Sequence, residues 1–295
     1  MPEQAPSSPT LSRLDAFAHV IQLVFETNGM AGFEIDHKLF AQSPFTCVYN
    51  AEKKLAFHCI NLNFKDWSVF DQDFFCRMNT DAAKRKIKLI HLWYDVWASD
   101  NSLVEQRLLA IAGKSKRIFA RNTIVKPVAK TEAAKFLNEN HLQKNAAAVF
   151  FYGLFYRNEL VAVASFSKPR KMTYQKPAFD SYELVRFANK TGVTVTGGLS
   201  KLINYFIKET DAKHIMTYAD SDWSSGESYL KLGFKYSGNT QPLSFLVDKV
   251  GLKRYFNTDS SKINGYNLKT EPWRTENTLL KIYNSGSAKY ILDLR

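Results

Sequence analysis

Cysteine is scarce in this chain: Cys47, Cys59 and Cys76 are the only three among 295 residues. An odd count, at spacings that match no zinc-ligand pattern, argues against a disulfide framework and fits a reducing cytoplasm. Free cysteine usually behaves as a small hydrophobe, so all three are expected to be ordinary part-buried residues. Long apolar runs are missing too. The longest, Ala146 to Tyr156, is broken by Gly153 and is too short to span a bilayer as a helix, so no membrane partner is expected. The first residues, MPEQAPSSPT, lack the basic region and apolar run of a signal peptide. They read, through residue 11, as a disordered leader. No internal repeat is present, and no low-complexity tract beyond that leader.

What the chain does have is apolar surface and positive charge. Apolar residues make up 45% and aromatics 14%, enough to bury real cores over a length that suits two ordinary domains. The net charge of +12 is uneven: −2 over residues 1–70, +6 over 71–130 and +8 over 131–295. Such an excess favours a polyanionic partner, because neutralising phosphates releases condensed counterions. It is equally compatible with a basic protein that never meets nucleic acid.

From Arg13 to Thr27, Phe17, Val20, Ile21, Val24 and Phe25 recur at helical spacing, with Ser12 as cap and Asn28-Gly29 as stop. Two β-like runs follow, Phe45 to Tyr49 and Lys54 to Ile60, joined by polar Asn50 to Lys53 as in a hairpin. A polar helical stretch then leads to Lys88-Leu-Ile-His-Leu-Trp93, of buried-strand length, and to a helix over about Ser102 to Ala112. This order predicts a small α/β domain over residues 12–122. It resembles the PD-(D/E)XK nuclease core, most closely at Lys88 to Trp97 and Lys116 to Arg121, as in phage-borne homing-endonuclease-like proteins that join such a domain to a GNAT-like one. The resemblance implies a metal-binding Asp and Glu on successive strands, and these fall at Cys47 and His58. Neither is a hard oxygen ligand, so no metal and no nuclease activity are expected there. Glu34, Asp36, Asp71 and Asp73 are the carboxylates from which a migrated site would be built.

The second half, residues 123–245, begins with a helix from Thr131 towards His141. Two apolar strands follow, Ala148 to Tyr156 and Leu160 to Phe166, around a tight polar turn. Next come a strand from Tyr182 to Ala188 and the loop Val195-Thr196-Gly197-Gly198-Leu199-Ser200, which opens a helix whose apolar face is Leu199, Leu202, Ile203, Phe206 and Ile207. Strand, glycine loop and helix N-terminus together make an anion site, because unpaired backbone N–H groups and the helix dipole converge there. A strand from Lys213 to Asp220 and the segment Gly226-Glu-Ser-Tyr-Leu-Lys-Leu-Gly-Phe234 complete the set.

That set is similar to the GNAT N-acetyltransferase family, an α/β (α+β) fold with a mixed central sheet. The resemblance implies acetyl-CoA or another acyl-CoA as cofactor, its pyrophosphate on the loop Val195 to Ser200. Gly198 and Ser200 match the G-x-small part of the family pattern, whereas Val195 replaces its leading basic or amide residue. It also implies Tyr229 as the acid that protonates the departing thiolate, and Glu183 as a general base. Asp220 is left either to orient a nucleophile or to cap the turn holding Ser221 and Ser224. The run Tyr182 to Phe187, with Tyr218-Ala-Asp220, looks like the Mom-like phage proteins that modify adenine in DNA. This directs attention to Lys168, Arg170, Lys171, Lys176 and Arg186, beside Tyr174 and Trp223, as groups to hold phosphates and stack a base. Residues 246–295, with Arg254, Trp273 and Tyr290, resemble the tail of the same phage-type proteins and are expected to pack on the second domain as an extension.

Three functions are therefore open: an acyltransferase acting on or bound to nucleic acid, a DNA-binding module without chemistry, and a small-molecule or peptide N-acyltransferase.

Overall fold

The computed structural model describes residues 15–173, 177–256 and 279–295, with the backbone of 262–263 and 266–267. The leader, Ser12, Tyr174, Lys176 and Trp273 lie outside the described residues. Two compact units divide the chain: Met1–Ser99 with Ser244–Tyr283, and Asp100–Leu243 with Asn284–Arg295. These divisions differ from those expected at 122/123 and 245/246.

In unit 1, α1 (Ala16–Thr27) buries Phe17, Ala18, Ile21, Val24 and Phe25, while Val20 stays 44% exposed, so the apolar stripe is narrower than its spacing suggests. The strands β1 (Glu34–Asp36), β2 (Cys47–Asn50) and β3 (Leu55–Ile60) follow, then α2 (Phe74–Lys84), β4 (Lys88–Trp93) and α3 (Tyr94–Ser99). The sheet order is β1-β2-β3-β4, antiparallel except for the parallel β3–β4 pair. Every residue of β3 is buried because both sheet faces are covered. Phe57 stacks on Phe25 of α1 at 5.1 Å, and the next residue, His58, faces Phe75 of α2 at 6.2 Å.

Unit 2 starts with α4 (Asn101–Ile111), β5 (Lys116–Phe119), β6 (Ile124–Pro127) and α5 (Lys130–Asn140). It continues through β7 (Phe150–Tyr156), β8 (Glu159–Phe166), β9 (Arg170–Met172), β10 (Phe179–Asn189), β11 (Val193–Thr196), α6 (Gly198–Thr210), β12 (His214–Asp220), α7 (Glu227–Leu230) and β13 (Lys235–Asn239). The chain then returns to unit 1 as β14 (Ser244–Asp248), β15 (Lys253–Phe256), β16 (Lys262–Ile263), β17 (Tyr266–Asn267) and β18 (Leu279–Tyr283). There Phe245, Val247 and Ile282 join the core beneath α2, and Arg254 grips buried Asp95 with two hydrogen bonds of 2.8 and 2.9 Å. Last, β19 (Ser287–Asp293) inserts between β12 and β13. The expected C-terminal extension is thus split between the two units.

The central sheet of unit 2 runs β13-β19-β12-β10-β8-β7-β6, with β9 beside the start of β10. Only β10 and β12 are parallel neighbours, so the sheet is mixed, as the sequence predicts. One face is covered by α5, whose Ala133, Phe136 and Leu137 meet Phe151, Val163 and Ala188. The other is covered by α6, where Phe206 stacks on Phe166 at 3.9 Å. The residues Lys116 to Phe119, expected to close the first domain, instead pair in parallel with β11.

Candidate active site

The parallel strands β10 and β12 pair only at Tyr182↔Ile215 and Glu183↔Met216. Past that point the ladder between them stops, and the Thr217 hydroxyl donates to the Leu184 carbonyl at 3.0 Å across the opening. On its other side, β10 passes from Leu184↔Phe166 to Arg186↔Ser165, leaving Val185 as a bulge without a cross-strand partner. In a regular strand, residues three apart face opposite ways. The bulge reverses this: Leu184 and Phe187 both pack on the α6 core, and Glu183 and Arg186 share the other face, close enough to shift each other's ionisation.

Glu183 is half-buried, and among the described residues no hydrogen bond reaches its carboxylate. Burial pushes its pKa above the ordinary carboxylate value, against the pull of Arg186. Tyr218, 37% exposed, feels the charges of Glu183 and Arg170. Asp220 is committed differently. One carboxylate oxygen accepts from Gln143 Nε2 at 2.8 Å and the other from the Asp222 backbone at 3.0 Å, while its carbonyl accepts from Trp223 and Ser224. Of the two roles open to it, capping this turn is the one its bonds perform.

Tyr229 lies on α7, four residues long, and its ring packs on Phe234 and Tyr290 at 5.7 and 5.4 Å. The Leu-Gly-Phe segment is a helix stop: Gly233 takes the left-handed conformation (φ 85°) and the Phe234 N–H bonds back to the Tyr229 carbonyl at 3.1 Å. Tyr229 lies close enough to Thr217, at the opening between β10 and β12, for that side chain to influence its ionisation. Burial raises its pKa, with the charge of Arg107 opposing, so the phenol keeps its proton at neutral pH.

The glycine loop joins β11 to α6. Gly197, the cap residue, has φ 78°, a left-handed conformation that suits glycine, and no side chain caps the helix. Gly198 is glycine for a different reason, since a Cβ there would stand 3.0 Å from Leu154 Cδ1 and from Val195 Cβ. Val195 is 4% exposed with its side chain in the core, so it offers only backbone to a ligand. Thr196 and Gly197 are exposed, and Leu199 and Ser200 are half-buried in the first turn.

No family model matches the chain, and no curated protein matches it. Solved structures do. They include an acetyltransferase from Bacillus subtilis in complex with CoA, at 17% identity, covering 59% of this chain and 99% of that one, TM-score 0.36. A GNAT family acetyltransferase from Elizabethkingia anophelis with acetyl-CoA bound matches at 14% identity over 59% and 99%, TM-score 0.31. The ribosomal-protein-S18-alanine N-acetyltransferase from Escherichia coli matches at 10% identity over 58% and 94%, TM-score 0.35. At such identities and TM-scores the chemistry must be judged from this chain's own residues.

Of the basic groups expected to meet phosphates, Lys168, Arg170 and Lys171 are exposed on and before β9, and Arg186 sits inside the site. Its guanidinium is held by the carbonyls of Lys144 (3.2 Å) and Val185 (2.9 Å). Trp223 is 9% exposed, so the base-stacking role expected of it is corrected: its ring is spent in the interior. Two further residues carry no signal in the sequence. His141 ends α5, and its Nδ1 accepts from the Gln143 backbone at 3.1 Å, which leaves Nε2 as the donor. Burial, with the charges of Arg186, Arg107 and Lys144, pushes its pKa down to about 3, so the ring is neutral. Arg107, on α4, touches solvent although protein surrounds it on most sides, and its charge reaches both His141 and Tyr229. Only helical spacing is legible there, and spacing carries no sign of a partner so distant in sequence.

In unit 1 the positions expected for the nuclease carboxylates do stand opposite each other, Cys47↔His58, in a row with Asp36 and His91. Both are buried. His58 bonds Ser43 Oγ at 2.7 Å through Nε2 and His91 Nδ1 at 3.0 Å through Nδ1, and burial holds its pKa well below the usual value. Among the upstream and downstream carboxylates, Asp36 accepts from the Lys38 backbone and Asp71 forms two hydrogen bonds with Arg77. Among the described residues no group of three or more His, Cys, Asp or Glu is placed to hold a metal, and no helix is long and apolar enough to cross a membrane.

Proposed function

We propose that unit 2 is a GNAT-type acyltransferase that uses acetyl-CoA or another acyl-CoA. The observation that carries this reading is the opening between parallel β10 and β12 at the Val185 bulge, with Glu183 on one strand and Tyr229 against the other. The uncapped first turn of α6 suits a pyrophosphate, whose oxygens would accept from the N–H groups of Gly198, Leu199 and Ser200. Acyl-CoA brings an activated thioester to this opening. Glu183 takes the proton from the acceptor as its nucleophile adds to the thioester carbonyl, and the backbone of the Val185 bulge borders the opening where negative charge develops. Tyr229 gives its proton to the departing sulfur. Arg186 and Asp220 fix the strands and the turn around these groups.

Acyl-CoA should raise the melting temperature of the protein, since a ligand that favours the native state stabilises it by mass action. Gly198→Glu would be a poor control because its side chain must displace Leu154 and Val195. Ser200→Glu is better. A carboxylate in the first turn suits the helix dipole, so the unliganded variant should melt no lower than the parent, yet its charge meets the pyrophosphate. Affinity should fall by at least about tenfold, roughly 1.4 kcal/mol. Equal thermal shifts in parent and variant would move the pyrophosphate elsewhere.

Action on nucleic acid is a second, finer reading, supported by exposed Lys168, Arg170 and Lys171 beside β10 and by the influence of Arg170 on Tyr218. Single-stranded or duplex DNA should then bind with affinity that falls steeply with salt. Replacing the three cations by Ala should reduce the log–log slope by up to about 0.9 for each phosphate that is no longer neutralised. No affinity at low salt would leave a small amine or a peptide as the acceptor.

A further inference from the structure

The strand β5 and the turn after it form a strap from outside the central sheet, and they bring side chains to the glycine loop. Parallel pairing sets Phe119 opposite Thr196, the residue before Gly197. Ser115 Oγ bonds Thr194 Oγ1 at 2.7 Å, and a Cβ at Gly197 would meet that of Ala120 at 3.5 Å. Lys201, in the first turn of α6, donates its ammonium to the carbonyls of Ala120 and Thr123, 2.8 Å for the former. A cation in the first turn opposes the helix dipole. Here the two carbonyls hold it, and it pins the strap to the helix.

Two of the residues so placed face outwards. Ile118 and Ala120 are buried in the core, whereas Phe119 between them is 49% exposed. The Arg121 guanidinium, also exposed, lies over the Phe119 ring at 5.0 Å. Neither side chain makes a hydrogen bond or ion pair among the described residues. An aromatic face paired with a guanidinium, beside unpaired helix N–H groups, is what a purine nucleotide with an extra phosphate requires: a surface to stack on and a fork for a dianion.

We propose that Phe119 and Arg121 receive the 3′-phosphoadenosine end of the acyl-CoA, the adenine against the Phe119 ring and the 3′-phosphate on the Arg121 guanidinium. This rests on the acyl-CoA reading given above. Calorimetric titration of the full chain with CoA and with dephospho-CoA, which differ only in the 3′-phosphate, tests it. The parent should prefer CoA by about tenfold or more. Arg121→Gln should bind CoA and dephospho-CoA alike, at the affinity the parent has for dephospho-CoA. Phe119→Ala should weaken both ligands by roughly the same factor, three- to tenfold, because it removes the stacking surface and spares the 3′-phosphate contact. Both side chains are exposed, so the variants should keep the parent's melting temperature. A parent without preference, or a preference that survives in Arg121→Gln, overturns the assignment and leaves the acyl-CoA reading standing. Failure of the parent to bind either ligand overturns both.

Discussion

Glu183→Gln is expected to lower kcat by roughly 10²-fold or more while making the fold more stable at neutral pH. Both effects come from the same burial. The carboxyl sits half-buried on β10, without a hydrogen-bond donor among the described residues, and its pKa is raised, with the charge of Arg186 acting against the shift. A carboxylate with a raised pKa accepts a proton from an incoming nucleophile more readily than a solvated one. The same shift costs stability. Below the ordinary carboxylate range, the group is protonated in folded and unfolded chains alike, and its contribution to the fold is fully present. As pH rises, the unfolded chain releases the proton first, so that contribution is lost through the interval ending at the raised pKa. Glutamine mimics the protonated form. The variant should therefore melt higher than the parent at pH 7 and at the same temperature near pH 3. The acid limb of the kcat/KM profile, set by the free enzyme, should lie above the usual carboxylate range and vanish in the variant. Thiol release measured against pH, with thermal melts at the two pH values, checks both. A variant that melts lower and turns over normally would make Glu183 a structural residue.

How far such a site can be read from sequence depends on whether its signals are local. The apolar face of α6, the β7–β8 hairpin and the Leu-Gly-Phe stop are legible because helical period, strand alternation and turn chemistry are written within a few residues. The bulge is not. Val185 is left over because Leu184 and Arg186 choose consecutive partners on β8, and that choice is made by a strand some twenty residues away. Without it Glu183 and Arg186 would be assigned opposite faces. Pairing of β5 with β11 is more remote still: Lys116 to Phe119 look like any short edge strand, and nothing near them in sequence ties them to the glycine loop. Charge and aromaticity mislead at Trp223, whose neighbours suggest a nucleic-acid surface while its ring is needed in the interior. The family pattern leads to Val195 as a ligand residue, yet an apolar side chain at that point belongs to the core, and what the loop offers is backbone.

Tyr229→Phe should separate binding from chemistry. The substitution keeps the ring that packs on Phe234 and Tyr290 and deletes only the hydroxyl that lies near Thr217. Thr217 gives its hydroxyl proton to the Leu184 carbonyl, and burial raises the pKa of Tyr229 with Thr217 and the charge of Arg107 acting against the shift. A phenol whose pKa is raised by its surroundings holds its proton until a strong acceptor arrives, and a thiolate leaving the thioester is one. The phenylalanine ring cannot supply that proton, so the sulfur must leave as the anion or wait for water. Turnover should fall by about 10²-fold, with the thermal shift produced by acyl-CoA unchanged. The loss should be smaller with an acyl donor whose thiol is more acidic, because a better leaving group needs its acid less. Arg107, whose charge already opposes the raised pKa of Tyr229, would soften the loss by stabilising the thiolate, so Arg107→Ala should deepen the defect of Tyr229→Phe more than it harms the parent. Equal turnover in parent and Tyr229→Phe would reduce the tyrosine to packing beneath the cofactor and leave proton return to solvent.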